Sequence, residues 1–299
     1  MLQTILVGQV AAVLILAGCG STGLEATPDD DAPPYEAFSS PERVEIHGYP
    51  GDAMEPFLSR DGRYLFFNNR NDPSINTDLH VAELVTPLTF EYLGPLAQVN
   101  TASLEGVPTM DRFGTFYFVS PRSYEETLST LYQGHFADGA ISDIQLVPGV
   151  SRETPGIVNF DIEVSPDGGT LYFVDARFGA LGPETADLVM ASRRGNRFER
   201  IAESDEILRH VNTRALEYAA AISADGLELF FNRVESVREG ASPKIYRAVR
   251  RSLDAPFDAP QRVAAMEGFV EGATFSPDGH AVYYHKREDG RFVLYRVAR

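Results

Sequence analysis

The chain has 299 residues, with 43 acidic against 26 basic side chains, a net charge of −17, one cysteine and no tryptophan. Such a surplus of carboxylates repels phosphate backbones, whose binding needs clustered Lys and Arg, and so speaks against nucleic acid as a partner. A single cysteine excludes an internal disulfide and any paired-thiol site.

No charge precedes Glu25, and an apolar run from Ile5 to Ala17 ends at Leu16-Ala-Gly-Cys19. The run is shorter than the about 20 residues of a membrane span and has the length of a secretory-signal core. Leu-Ala-Gly-Cys resembles the bacterial lipobox, although the usual Lys or Arg of the n-region is missing. The resemblance implies a signal peptide over 1–18 and a lipid on Cys19 that anchors the protein to a membrane of the cell envelope. Gly20, where an inner-membrane retention signal would place Asp, implies the outer membrane, facing the periplasm. Residues 19–40, with Pro28-Asp-Asp-Asp-Ala-Pro-Pro34 among them, are polar and Pro-rich and predict an extended tether. Residues 41–299 are left for one large domain.

That remainder is a repeat array. Ser59-Arg-Asp61-Gly62, Thr109-Met-Asp111, Ser165-Pro-Asp167-Gly168, Ser223-Ala-Asp225-Gly226 and Ser276-Pro-Asp278-Gly279 recur with aspartates 50, 56, 58 and 53 residues apart. Each is followed by an apolar strand such as Tyr64-Leu-Phe-Phe67 or Leu229-Phe-Phe231. Asp-Gly between apolar runs is hairpin chemistry, because Gly takes positive φ without strain and Asp bonds its own backbone. The second copy, Asp111-Arg-Phe-Gly114, predicts a longer turn. Alignment around the turns predicts four strands per repeat. The chain stops after the third strand of the last copy, and Pro41-Glu-Arg-Val44 matches Pro260-Gln-Arg-Val263, so the N-terminal strand is expected to complete the last sheet. The predicted fold is all-β, a β-propeller of four-stranded antiparallel blades, five in number with six as the alternative.

At Glu55-Pro-Phe-Leu-Ser-Arg-Asp-Gly62 and Phe275-Ser-Pro-Asp-Gly279 the chain resembles the WD40-like Pro-Asp repeat (PD40) family of TolB-like propellers. The resemblance runs from residue 41 to the end and implies the propeller fold, but that family spans scaffolds, binding modules and the propeller halves of peptidases. No Gly-x-Ser-x-Gly nucleophile elbow occurs. Two functions follow as expectations: a lipid-anchored, non-enzymatic scaffold binding an envelope protein, or a carbohydrate-binding or glycoside-hydrolysing propeller.

A second periodicity bears on that choice. The innermost strands begin with Glu55, Glu105, Asp161, Glu217 and Glu271, which are expected to converge near one mouth of the channel. Convergent acids can hold a hard cation such as calcium or perform acid–base work on a glycosidic bond. The next strands end in Arg70, Arg122, Arg177, Arg233 and Arg287, 15 to 17 residues later, and the hairpin folds each back toward its acid. Five Arg–carboxylate pairs are therefore the competing, structural expectation. The turn aspartates read as backbone-bonding residues. The six histidines lack metal-ligand spacing and read as surface or loop residues, and Tyr124, Phe136 and Phe178 are the loop aromatics placed to touch a ligand. In the insertion 203–212, Ile207, Leu208 and Val211 at helical spacing predict a short helix.

Overall fold

Four of the five turns share one hydrogen-bond pattern. At Ser59-Arg-Asp61-Gly62 the serine Oγ donates to Asp61 Oδ1 (2.5 Å) and accepts from Tyr64 N (2.8 Å), Asp61 Oδ1 also accepts from Arg63 N (3.0 Å), and Gly62 sits at φ 75°. Equivalent bonds form at Ser165, Ser223 and Ser276. The second turn is not longer, as the sequence suggested, but shifted and one residue shorter, closing from Asp111 to Thr115 where the others close five residues on. Asp111 stands where the others have serine, its Oδ1 accepting from both Phe113 N (2.8 Å) and Thr115 N (2.9 Å), and Gly114 takes the positive φ of 84°. One carboxylate thus performs the work of the Ser–Asp pair, and Phe113 occupies the usual aspartate position, 61% exposed.

The structure is a computed structural model that describes residues 33–71, 75–179, 182–234 and 242–299. Cys19 and everything before Pro33 lie outside the described residues. The described strands form four hydrogen-bonded sheets, the largest holding two repeats joined by one parallel pairing of Ala186 with Leu216, and five repeat units can be traced through them, each starting with an inner strand that runs into one of these turns. The first is β3 (Met54–Leu58), β4 (Tyr64–Asn68), β5 (Leu79–Thr86) and β6 (Thr89–Pro95). The second is β7 (Gly106–Met110), β8 (Thr115–Val119), β9 (Leu131–Ala137) and β10 (Ala140–Leu146). The third is β11 (Ile157–Val164), β12 (Thr170–Gly179), β13 (Gly182–Arg194) and β14 (Arg197–Arg200). The fourth is β15 (Leu216–Ile222), β16 (Glu228–Val234), β17 (Lys244–Val249) and β18 (Gln261–Arg262). The fifth has β19 (Val270–Phe275), β20 (Ala281–Glu288) and β21 (Arg291–Ala298), and its fourth strand is β1 (Glu42–Arg43), with Glu42 opposite Arg296 and Arg43 opposite Tyr295. The N-terminus therefore closes the last sheet, at the position that β18 fills in the preceding one. The chain then crosses over, and β2 (Glu45–His47) adds a parallel fifth strand outside β6, which the repeat pattern did not predict.

Packing begins before Pro41. Tyr35 bridges Val263, and Phe38, 7% exposed, lies against Phe230 between the fourth and fifth units. Residues 33–40, expected in the tether, are part of the ring closure. Arg299 completes it, bonding Glu228 and Tyr35 Oη (3.0 Å). Strands 2 and 3 of each unit bury their aromatics between neighbours, as in the T-shaped Phe66–Phe116 contact at 5.1 Å.

Two short helices interrupt the strands, α1 (Tyr124–Thr127) and α2 (Ser204–Ile207). α2 is the predicted one, and its Ile207, with Leu208 and Val211 just beyond it, is buried against the third and fourth units, so the helix packs. Tyr124, Phe136 and Phe178 also pack, against Val158, Phe66 and Phe160 respectively, and do not stand free for a ligand. Among the described residues no helix is long and apolar enough to cross a membrane.

Candidate functional site: a buried acid cluster in the axial channel

Every inner strand carries a β-bulge four residues before its turn, on Glu55, Val107, Asp161, Ala219 and Gly272, with φ of 48°, 53°, 47°, 52° and 66°. A bulge leaves one residue unpaired and re-aims its groups. Four of these residues send their amide sideways to a side chain of the preceding unit. Glu55 N donates to His285 Nδ1, Val107 N to Asn68 Oδ1, Ala219 N to Asp161 Oδ2 and Gly272 N to Asn232 Oδ1, each at 3.1 Å. Asn68, Asn232 and His285 occupy the same register position on their second strands, opposite Met54, Tyr218 and Glu271.

The bulge register separates the five acids. Glu55 and Asp161 lie on the bulge, Glu271 one residue before it, and Glu105 and Glu217 two residues before it. The ring read from the sequence is therefore two different constellations.

Glu105 and Glu217 belong to a repeated loop, Val99-Asn-Thr-Ala-Ser-Leu-Glu105 and Val211-Asn-Thr-Arg-Ala-Leu-Glu217. Asn100 and Asn212 bracket the backbone of Leu79 and Leu188 with bonds of 2.8–2.9 Å. Thr101 and Thr213 bond both oxygens of their glutamates through N–H and Oγ1. The arginines arrive as expected: Arg233 Nε is 2.8 Å from Glu217 with both side chains buried, and Arg122 Nη1 is 4.0 Å from Glu105. Both guanidinium groups also bond the valine carbonyl that opens the motif. Burial pushes both carboxyls up, against the hydrogen bonds and the arginines.

The other three acids have no arginine. Arg70 is drawn off by Asp52 at 2.7 Å, while Arg177 and Arg287 are exposed and make no ion pair among the described residues. Glu55, Asp161 and Glu271 instead meet in the channel, 4%, 1% and 0% exposed. His285, buried and not at the surface as predicted, joins them. Since its Nδ1 accepts from Glu55 N, the neutral ring carries its proton on Nε2 and donates to Glu271 Oε2 at 3.3 Å. Tyr218 Oη donates to the other oxygen of Glu271. Asp161 Oδ1 is buried without a hydrogen-bond partner. Burial first, and the neighbouring carboxyls of Asp161 and Glu271 next, push Glu55 up to about 8, with His285 opposing. Asp161 is raised to about 8 by burial and Glu271, and Glu271 to about 8 by burial. Burial holds His285 below the usual imidazole range. His80, also predicted at the surface, is buried in the first unit and lowered to about 4 by burial.

The channel beside this cluster is a cavity of 30 Å³, room for about one water. At the opposite end the turns from all five units surround a mouth of 410 Å³, lined by Arg60, Arg112, Pro166, Asp225 and Asp278 among others. Arg60 is committed there to Glu163, at 3.0 Å, while Arg112 lies exposed over Phe113. Among the described residues no group of three or more His, Asp, Glu or Cys is disposed to hold a metal ion.

Gly272 is glycine for reasons of space. Its φ is shared with Glu55, Val107, Asp161 and Ala219, but a Cβ there would stand 2.6 Å from Glu55 Oε2 and 3.1 Å from His285 Nδ1. Gly272→Ala is expected to lower stability by about 1–3 kcal/mol through overpacking. Ala219→Gly, at the equivalent bulge with no such crowding, should change it by less, and denaturant midpoints of the two variants compare them.

No protein-family profile and no curated protein matches the chain. Among solved structures, the catalytic domain of the Coprinopsis cinerea GH62 α-L-arabinofuranosidase is 11% identical over 88% of this chain and 95% of that one, with a TM-score of 0.51. The native Bacillus subtilis arabinanase is 12% identical over 87% and 96%, TM-score 0.51. TolB from Acinetobacter baumannii is 17% identical over 83% of this chain, TM-score 0.46, and this chain spans 55% of it. At these identities the two arabinan-type enzymes speak for a β-propeller fold and for nothing finer.

Proposed function

We propose that the chain is a five-bladed, lipid-anchored propeller that serves the bacterial cell envelope as a non-enzymatic scaffold, holding a protein partner on an outer face. The observation that carries this reading is the closure of the axial channel. The three acids without arginine partners are 0–4% exposed beside a 30 Å³ cavity, so a sugar ring has no place to meet them. The turn-side mouth, with Phe113 and Leu253 exposed, offers the larger free surface. Photo-crosslinkers placed at Phe113 and Leu253 in cells should capture one envelope protein. Failure of both to enrich any protein over a crosslinker at Glu125 would overturn the reading. Cys19→Ser should move the protein from the membrane to the soluble fraction.

A second reading, glycan binding or glycoside hydrolysis, is favoured by the failure of the acid ring to pair. Glu55, Asp161 and Glu271 lack the arginine partners that would make them purely structural. The fold is shared with an arabinanase and an α-L-arabinofuranosidase. On this reading the purified protein cleaves arabino-oligosaccharides and Asp161→Asn abolishes the cleavage. No release of reducing sugar from such substrates removes the hydrolytic version.

A further inference from the structure

We propose that the axial channel is a proton store that gates its own opening: at neutral pH Glu55 and Asp161 are carboxylic acids, and their deprotonation drives apart the inner strands of the first, third and fifth units. The geometry requires the protons. Glu55 on β3 and Asp161 and Glu163 on β11 line the cavity, and behind them Tyr218 on β15 and His285 on β20 both bond Glu271 on β19, with His285 also accepting the Glu55 amide. β7 contributes only Val107 and Pro108.

No Lys or Arg is among them. Arg70 lies over the far side of Phe292, whose ring meets His285, and is held by Asp52. The one arginine that reaches the lining is Arg60, and it is spent on Glu163, whose other oxygen accepts from Thr109 Oγ1, while Arg122 and Arg233 are engaged by Glu105 and Glu217. The imidazole spends its one ring proton on Glu271 and adds no charge.

Glu271, receiving bonds from Tyr218 and His285, is the member best equipped to hold a negative charge. Glu55 and Asp161 would add second and third charges within one closed space. Asp161 Oδ1, buried without a partner, is the atom where that cost is plainest. Like charges sharing a buried site cannot all ionise while the site stays closed. Glu55 hangs from a bulge whose amide crosses to His285 of the preceding unit, and Asp161 Oδ2 accepts the bulge amide of Ala219 from the following unit, so a separation of charges strains those inter-unit bonds first.

Infrared spectroscopy of the full chain tests the store. A protonated carboxylic C=O stretch should be present at neutral pH, fade on going to about pH 9, and be reduced in Glu55→Gln and again in Asp161→Asn. Hydrogen exchange tests the gate: protection at Glu55 and Ala219, corrected for the chemical pH dependence, should fall about tenfold over the same range in the wild type and stay level in the amide variants. Should a variant fail to fold, the wild-type titration decides by itself. The absence of the band at neutral pH would overturn the proposal. So would its appearance only after a chelator is added, which would put a bound cation where the protons were placed. A band that titrates while protection stays constant would overturn the gate.

Discussion

Glu217→Ala should cost about 3–5 kcal/mol of folding free energy, which for a domain of this size lowers Tm by roughly 10 °C. The substitution strips the carboxylate at 2.8 Å from Arg233, whose side chain is 1% exposed and which also bonds the Val211 carbonyl and lies over the rings of Phe231 and Tyr246. Removing one partner of a buried ion pair is among the more expensive single defects a fold can carry. Glu105→Ala should cost less. Arg122 is 21% exposed, stands 4.0 Å from its acid, and can turn to solvent while keeping its stacking on Tyr132. Denaturant unfolding of the two variants gives the comparison directly. Replacing both partners, Glu217→Ala with Arg233→Met, should recover part of the loss. If the double variant is no more stable than Glu217→Ala, the ion pair is not the source of the defect.

Stability should fall as pH rises from about 6.5 to about 8, the reverse of what a protein held together by ionised carboxylates shows, while below that window the buried His80 and His285, both held under the usual imidazole value, pull the other way. Glu55 has an ordinary value of 4.5 and Asp161 of 3.8, and both are raised to about 8 in the folded protein. Between those limits the unfolded chain has released protons that the folded chain retains. Each retained proton therefore subtracts about 1.4 kcal/mol from the unfolding free energy for every pH unit climbed. Below the lower limit both states are protonated and the contribution is whole. Urea midpoints at a series of pH values measure the slope. Asp161→Asn, which keeps a neutral side chain throughout, should flatten it and gain relative to the wild type at the alkaline end. A wild-type midpoint that rises steadily with pH through this window would show the acids to be ionised in the folded state.

The turn and the closure were legible in the sequence for one reason: both depend on a few neighbouring residues. Ser-x-Asp-Gly carries its own hydrogen bonds, and Pro-x-Arg-Val appears twice because β1 and β18 fill the same place in two units. The acid ring was misread because its members drift by one and two residues relative to the bulge, and a bulge leaves no mark when Glu, Val, Asp, Ala and Gly all adopt it. Taking Asp111 for a turn aspartate compounded the error, since it moved the second copy's anchor by two residues. The repeated Val-Asn-Thr-x-x-Leu-Glu could have separated Glu105 and Glu217 from the other three on inspection of the sequence alone. His285 could not have been found so easily. Its equivalence to Asn68 and Asn232 is a matter of register across the second strands, where the residue types do not match. Tyr35 and Phe38 were hidden by the proline-rich composition around them, which describes the chain up to Pro34 and says nothing of two aromatics beyond it.

The closing seam joins the first described residues to the very last. Phe38 wedges beside Phe230, β1 pairs with β21, and Arg299 ties Tyr35 to Glu228. β1 can therefore find its place only after β21 has been made, and a chain lacking β21 keeps an unpaired edge. Such edges are where proteolysis and pairing with another chain concentrate, so the meeting of these two segments shields both at once.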